Sequence, residues 1–197
     1  MYKKFIKRFL DIVLSFAALI FFAVPMIIFA LIIKHEDKGK AFFTQKRVGL
    51  HKKIFKIYKF RSMKNSTPHD TPTHLLKNPE QYILKCGRWI RKYSIDELPQ
   101  IINVLKGDMS IVGPRPALWN QFDLIAERDK YGANDIKPGL TGWAQINGRD
   151  ELEISDKAKL DGEYVKRESF LFDCMCVLKT FTKVFKHEGF VEGVNLE

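Results

Sequence analysis

The feature that most limits what this chain can fold into is an uncharged, apolar run over residues 12–33. A helix of about 22 residues is long enough for the hydrocarbon core of a bilayer, which is roughly 30 Å thick. A secretory signal peptide fits poorly, because the run is too long and no small-residue cleavage site follows it. The run therefore predicts a membrane segment, which either spans the bilayer or enters it and returns to the same side.

Two observations favour a segment that returns, which is called a re-entrant helix. Basic residues stand on both sides of the run, and the positive-inside rule would place both flanks in the cytoplasm, a condition that a spanning helix cannot meet. Pro25 lies near the middle of the run, where it removes a backbone hydrogen bond and clashes with the preceding turn, so a sharp bend is expected there. A kinked spanning helix stays open on the residues alone, because membrane helices tolerate proline. The basic flanks are Lys3, Lys4, Lys7 and Arg8 before the run, and Lys34, Lys38, Lys40, Lys46, Arg47, Lys52 and Lys53 after it.

The charge balance of the whole chain predicts an anionic partner. The 197 residues are enough for one domain with a core of ordinary size, and they have a net charge of +10 and a pI near 9.5. Nucleic acid, a membrane surface and a phosphorylated substrate all fit that charge. The three cysteines do not form a disulfide framework, which favours a reduced, cytosolic environment. The scattered histidines argue against a histidine-based metal site.

The remaining patterns predict a mainly helical α+β fold. Two β-favouring runs at 42–48 and 54–60 predict a small β-hairpin. The prolines of 111–116 impose an extended backbone on that segment. The last predicted helix has apolar residues at three- and four-residue spacing and lysines on another face. It either packs on the core or lies as a surface amphipathic helix in the headgroup layer. Helices are predicted at 81–91, 95–105, 117–130, 157–166 and 170–186.

The stretch Ser94-Ile95-Asp96-Glu97 has two interpretations. Ser94 followed three residues later by Glu97, ahead of an apolar run, is the S-x-x-E pattern of a helix capping box. Acids in a first turn also complement the positive end of the helix dipole. The same two acids could instead perform chemistry, and spacing alone favours the cap.

Several motifs follow one another in a fixed order: the membrane segment with its central proline, KFRSM, RKYSIDELPQ, NVLKGDMSIVGPRP and KPGLTGWAQINGR. With these motifs the chain closely resembles the bacterial sugar transferase family, the polyprenyl-phosphate phosphoglycosyl transferases, in its small monotopic form. The resemblance covers nearly the whole chain. It implies a re-entrant membrane helix over 1–36, bent at Pro25, and a cytosolic, membrane-associated catalytic domain over 37–197. A serine often precedes that proline in the family, where this chain has Val24. Larger members have additional N-terminal spanning helices, so this chain looks like the minimal catalytic unit.

The resemblance also implies an activity. Family members transfer a sugar 1-phosphate from a UDP-sugar to undecaprenyl phosphate and release UMP, which initiates assembly of a bacterial surface glycan or glycoconjugate. The expected location is the cytoplasmic face of the bacterial plasma (inner) membrane, with membrane lipid as a partner and no role for nucleic acid. Similarity over WAQINGRDELEISDKAKLDGEYV is associated with N-acetylated sugars. The donor sugar, the glycan, and the choice between a monomer and a homodimer stay open.

The resemblance further implies roles for individual residues. Asp96 matches the family nucleophile, which forms a covalent phosphosugar, and is the expected ligand of Mg²⁺; Glu97 matches the second acid. A metal between them and the donor makes physical sense, because a carboxylate and a diphosphate repel each other. Arg91 matches a position associated with the lipid phosphate, whereas Lys59 and Arg115 match positions near the nucleotide diphosphate. Catalysis and a helix cap at Ser94 are compatible on this interpretation. The expected substrate-binding residues are all cationic: Lys59, Arg88, Arg91, Arg115 and Arg149.

Two rival functions differ from this expectation in testable ways. A membrane-tethered basic adaptor explains the charge and the apolar run, but gives no reason for D-E-L-P-Q together with G-P-R-P. Its binding would weaken at raised salt whatever residue stands at position 96. A conventional glycosyltransferase would move the sugar without its phosphate and would release UDP in place of UMP.

Overall fold

The amino-terminal part of the protein is one long, apolar helix. In the computed structural model, which describes residues 2–67, 79–148 and 152–186, a π-helical turn at Tyr2–Ile6 leads into α1 at Lys7–Glu36. Within these residues, α1 is long and apolar enough to cross a membrane by length and composition. Large apolar side chains are exposed along it, Phe21 by 75% and Val24 by 65%, and their contact with water is unfavourable. These features indicate a membrane-associated protein.

Pro25 lies inside α1 without interrupting it. A proline removes one intrahelical hydrogen bond, and membrane helices tolerate this loss because neighbouring groups and local adjustments compensate for it. The bend at Pro25 and the return of the helix, both expected from the sequence, stay predictions.

Both ends of α1 pack against the rest of the protein. Near its start, the Arg8 guanidinium donates hydrogen bonds to the carbonyl oxygens of Val104 and Leu105, at 2.6 and 2.8 Å. Toward its end, Ile33 is fully buried in an apolar cluster that includes Phe60 of the hairpin. The helix is therefore attached to the folded domain near both of its ends.

A small antiparallel hairpin follows α1. Strand β1 at Phe42–Val48 pairs with β2 at Ile54–Phe60, and both strands have the predicted bounds. In this register Arg47 and Lys59 lie on the same face of the hairpin, because side chains alternate along each strand and directly paired residues share a face. Ile57 of the hairpin packs in an apolar cluster with Val104 and Met109, which come later in the chain. The inner face of the hairpin therefore points into the domain.

The remaining elements follow the hairpin in the chain, and the predicted mainly helical α+β fold is confirmed in outline. Strands β3 and β4 are short and pair in parallel. The bounds are α2 Lys85–Lys92, α3 Gln100–Lys106, β3 Ser110–Val112, α4 Phe122–Asp129, β4 Gly139–Thr141, α5 Trp143–Ile146, α6 Ile154–Arg167 and α7 Phe170–Lys186.

The helix predicted over 117–130 begins later than expected, at Phe122. The Ala117 carbonyl accepts a hydrogen bond from the Val48 N–H at 2.9 Å, and Leu118 forms an antiparallel β-bridge with Arg47. These residues are extended because the hairpin supplies backbone partners for them, and this tertiary pairing overrides their local preference.

The apolar stripe of α7, which was predicted from its three- and four-residue spacing, faces away from the core. Leu171, Leu178 and Phe181 are largely exposed, whereas Phe172 and Cys176 on another face are buried. The alternative in which the stripe packs on the core is therefore wrong for these residues. Contact of the stripe with a headgroup layer stays a prediction.

Candidate active site

The two acids of the DELPQ motif lie in a short 3₁₀ turn at Ile95–Glu97, just before α3. Asp96 and Glu97 are buried, with 9% and 8% of their surface exposed. The predicted capping box is wrong, because Ser94 has a left-handed backbone (φ 55°, ψ 23°) and its side chain makes no capping hydrogen bond. The Glu97 carboxylate contacts the side chains of Lys59 and Arg115, which come from other segments.

Two cationic side chains converge on the acid pair from separate segments. The Lys59 ammonium, at the end of β2, lies 2.8 Å from Glu97 Oε1 and 3.8 Å from Asp96 Oδ2. The Arg115 guanidinium, in the segment after β3, donates to Glu97 Oε1 at 2.8 Å and Oε2 at 3.5 Å. The structure thus brings four of the predicted site residues together, in a cluster that we call the acid–base cluster: Lys59, Asp96, Glu97 and Arg115.

The environment of Lys59 changes its protonation equilibrium. Burial lowers the pKa of its ammonium below the ordinary value, and the carboxylates of Glu97 and Asp96 oppose part of that effect. The positive charges of Arg115 and Arg47 lower the pKa further. The protonated form of Lys59 is therefore energetically unfavourable in this buried site, and an additional anion beside it would stabilise it.

Close backbone packing sets the position of Arg115. The Gly113 N–H donates to the Thr141 carbonyl at 2.8 Å, so the segment leading to Arg115 is attached to β4. A Cβ on Gly142 would lie 2.0 Å from the Gly113 carbonyl oxygen, so no side chain fits there without a backbone shift. Arg47 adds a hydrogen bond from its Nη1 to the Pro116 carbonyl at 3.0 Å.

We expect Gly142→Ala to lower the free energy of unfolding by about 2–3 kcal/mol, because the new methyl group would overlap a backbone carbonyl. Urea unfolding measures the change. Gly132→Ala is the control: nothing lies within 4 Å of its Cβ position, and its positive φ of 67° predicts a smaller loss of about 1 kcal/mol from backbone strain. Equal losses in the two variants would contradict the close contact at Gly142.

Other predicted residues lie outside the acid–base cluster. Arg88 is exposed on α2 and forms an ion pair with Glu80 at 3.2 Å. Arg91 is half-buried near the end of α2, and its carbonyl accepts a hydrogen bond from the Ser94 N–H at 2.9 Å, so it lies just before the acid pair. Arg149 lies outside the described residues.

Sequence reasoning missed Arg47 as a cation near the site. Its charge acts on Lys59, and its guanidinium contacts the backbone beside Arg115. The register of the hairpin was the available signal, because once the two runs pair, Arg47 and Lys59 fall on one face.

The chemistry of the acid pair fits a magnesium ion. Mg²⁺ prefers oxygen ligands and is commonly held by one or two carboxylates together with substrate phosphates. Among the residues that the structure describes, no group of three or more His, Cys, Asp or Glu side chains could hold a metal. A metal held by Asp96 would therefore need further oxygens from a substrate or from water.

Comparison with known proteins gives the family. A family model described as bacterial sugar transferase matches residues 2–187. A Bacillus subtilis (strain 168) protein named as the uncharacterized sugar transferase EpsL is 41% identical over 93% of this chain and 89% of its own length. The undecaprenyl-phosphate galactose phosphotransferase of Salmonella typhimurium is 36% identical over 94% of this chain, and the UDP-glucose:undecaprenyl-phosphate glucose-1-phosphate transferase of Escherichia coli K12 is 38% identical over 94%. This chain spans only 42% and 41% of those two longer relatives. The chain belongs to the bacterial sugar transferase family and is a transferase.

Proposed function

We propose that this protein transfers a sugar 1-phosphate from a UDP-sugar to undecaprenyl phosphate, and so initiates assembly of a bacterial surface glycan or glycoconjugate. In the first step, a carboxylate oxygen of Asp96 attacks the sugar-bearing phosphorus, the bond from that phosphorus to the bridging oxygen breaks, and UMP leaves with that oxygen. In the second step, an oxygen of the lipid phosphate attacks the same phosphorus. The bond to Asp96 breaks, the carboxylate is regenerated, and the lipid carries a diphosphate-linked sugar.

The observation that carries this proposal is the convergence of two cations on the buried acid pair. Glu97 contacts both Lys59 and Arg115 at 2.8 Å, and the Lys59 ammonium also lies 3.8 Å from Asp96. Glu97 therefore suits the role of orienting the two cations, and Asp96, which matches the family nucleophile, lies beside the cation that would contact the donor. Lys59 and Arg115 are placed to contact the donor diphosphate, and the forked guanidinium of Arg115 matches phosphate oxygens. When bound, Mg²⁺ would offset the repulsion between the carboxylate and the diphosphate, with Asp96 as its protein ligand.

The membrane helix suits an acceptor that stays in the bilayer. The isoprenoid tail confines the lipid phosphate to the headgroup region, so a site held at that depth meets it at raised effective concentration. Attachment of α1 at both Arg8 and Ile33 supports a helix that enters the membrane, bends at Pro25 and returns to the cytoplasmic face. Arg91, just before the acid pair, is the proposed contact of the lipid phosphate.

Thiol labelling tests the re-entrant helix. We expect single cysteines placed by Lys3→Cys and by Lys40→Cys, in a chain whose native cysteines are replaced by alanine, to react with a membrane-impermeant reagent only from the cytoplasmic side. Both positions flank α1, so a spanning helix would place them on opposite sides. Labelling of one position from each side would contradict the re-entrant helix and leave the proposed chemistry untouched.

The lowered pKa of Lys59 predicts the pH dependence of the reaction. A cation that contacts a diphosphate must be protonated, so activity should decline as pH rises through the lowered pKa, before the ordinary lysine value of 10.5 is reached. Between the lowered pKa and 10.5, Lys59 is protonated in the unfolded chain but neutral in the folded protein. Over this range the contribution of Lys59 to the free energy of unfolding therefore rises with pH, while activity falls. The rate is measured up to pH 10.5 in the native protein and in Lys59→Arg. In the variant the alkaline decline in rate should move to higher pH, because a guanidinium stays charged. Coincident profiles would exclude Lys59 as the titrating group.

Intact-protein mass spectrometry tests the covalent step. Incubation with a panel of UDP-sugars and Mg²⁺, N-acetylated sugars included and the lipid acceptor omitted, is expected to add the mass of one sugar phosphate for the correct donor. Addition of undecaprenyl phosphate should then remove the adduct. A protein that turns over the donor in the complete mixture but never gains this mass would contradict a covalent intermediate.

A further inference from the structure

A fully buried asparagine, Asn103, lies at the junction of the segments that supply the acid–base cluster. It belongs to α3, which directly follows the acid pair, and none of its surface is exposed. Its Oδ1 accepts a hydrogen bond from the Tyr58 N–H at 2.9 Å, and its Nδ2 donates to the Lys56 carbonyl at 2.8 Å. The side-chain amide therefore pairs with the edge of β2 as a neighbouring strand would, immediately before Lys59.

The same residue organises the turn that leaves α3. Asn103 Nδ2 also contacts the Asp108 carboxylate at 3.2 Å. The main-chain carbonyl of Asn103 accepts hydrogen bonds from the N–H groups of Gly107, Asp108 and Met109, at 3.0–3.3 Å. This turn leads into β3 and then to Arg115. One side chain and its own carbonyl thus join β2, α3 and the approach to β3.

We propose that Asn103 is a positioning residue of this transferase, which sets the register between Lys59 on β2, the acid pair before α3 and the segment that presents Arg115. The kinetic part of this inference rests on the function proposed above. The contact of 2.8 Å between Lys59 and Glu97 joins two segments whose relative position depends on the Asn103 amide. A displacement of about 1 Å is enough to cost a reaction on the order of 100-fold, because reacting groups must be aligned.

The chain offers a closely matched control at Asn134, which is also buried. Its Nδ2 donates to the Ile125 carbonyl at 2.8 Å and to Asp129 Oδ1 at 2.8 Å, so it too joins one carbonyl and one carboxylate. Replacement by aspartate removes the donor and adds a negative charge against a carboxylate at both positions. The two substitutions therefore resemble each other chemically, but only Asn103 contacts the strand of Lys59.

The experiment compares Asn103→Asp with Asn134→Asp by three readouts: urea unfolding, steady-state kinetics with the correct UDP-sugar, and the extent of Lys59 acylation by an amine-reactive reagent, quantified by peptide mass spectrometry. We expect similar losses of stability in both variants. Asn103→Asp alone should lower kcat by about 100-fold with a smaller change in KM. It should also raise Lys59 acylation several-fold, because the side chain loses its place beside Glu97 and its amine becomes accessible to the reagent. Equal kcat and equal Lys59 acylation in the two variants would overturn the proposal.

The readouts separate this proposal from the proposed function. If the native protein does not turn over any UDP-sugar, the proposed function fails, and Lys59 acylation alone decides whether Asn103 positions that side chain. If Asn103→Asp does not fold, Asn103→Ser compared with Asn134→Ser repeats the test without the added charge. The serine variants have the same expected and contradicting outcomes.

Discussion

Asp96→Asn is expected to lower UMP release by a factor on the order of 10⁴ or more, which corresponds to at least about 5 kcal/mol of lost transition-state stabilisation. The substitution keeps the shape of the side chain but removes the nucleophilic oxygen charge, so the first step has no attacking group. Lys59 retains its contact of 2.8 Å with Glu97 in this variant, so that ion pair of the cluster is kept. The rate is measured with purified protein, the correct UDP-sugar, Mg²⁺ and undecaprenyl phosphate.

The control for this substitution is Asp135→Asn, the same chemical change at an exposed residue that pairs with His51. Its rate should stay within about twofold of the native rate, because surface ion pairs contribute little. The sugar phosphate adduct should form in the control and be absent from Asp96→Asn. Native-like UMP release by Asp96→Asn would remove this residue from the mechanism.

Glu97→Gln is expected to affect both activity and stability. Removal of this carboxylate charge leaves Lys59 and Arg115 beside each other without their shared partner, and breaking a buried ion pair by removal of one partner costs about 3–5 kcal/mol. Without Glu97 to oppose the effect of burial, the pKa of Lys59 should fall further, and the misplaced cations should lower kcat by about 100- to 1,000-fold. Urea unfolding and steady-state kinetics measure the two effects.

Glu80→Gln is the matched control, because Glu80 also forms an ion pair, with Arg88 at 3.2 Å, but on the exposed surface. We expect this variant to lose less than about 1 kcal/mol of stability. The kinetics of Glu80→Gln also test the predicted role of Arg88 in substrate binding. The substitution releases the Arg88 side chain, and KM should stay unchanged if Arg88 acts only in this surface pair. A Glu97→Gln protein as stable and as active as Glu80→Gln would contradict the central place of Glu97 in the cluster.

Elements governed by local pattern were predicted well. The hairpin has the expected bounds because β-favouring residues fill both strands and a glycine begins their connection. The long helix α1 follows from its uninterrupted apolar run. The capping box failed because the backbone of Ser94 is left-handed and Glu97 bonds to Lys59 and Arg115, which are distant in sequence. A four-residue pattern contains no information about such tertiary partners.

The candidate site was predicted only in part, because some of its contacts depend on tertiary partners that the sequence does not show. Resemblance to a family indicated Lys59, Asp96, Glu97 and Arg115, and these four residues lie together in the structure. An asparagine within a short helix has no sequence signal that distinguishes a solvent-facing amide from a buried one. The position of Asn103 could be recognised only when α3 and β2 were seen side by side.

The identity of the released nucleotide decides whether the sugar moves with its phosphate when the native protein, Mg²⁺, undecaprenyl phosphate and a panel of UDP-sugars react. We expect UMP, in an amount equal to that of the lipid-linked sugar and only with particular donors. Release of UDP, with a lipid product that has gained a sugar without a second phosphate, would contradict transfer of a sugar 1-phosphate.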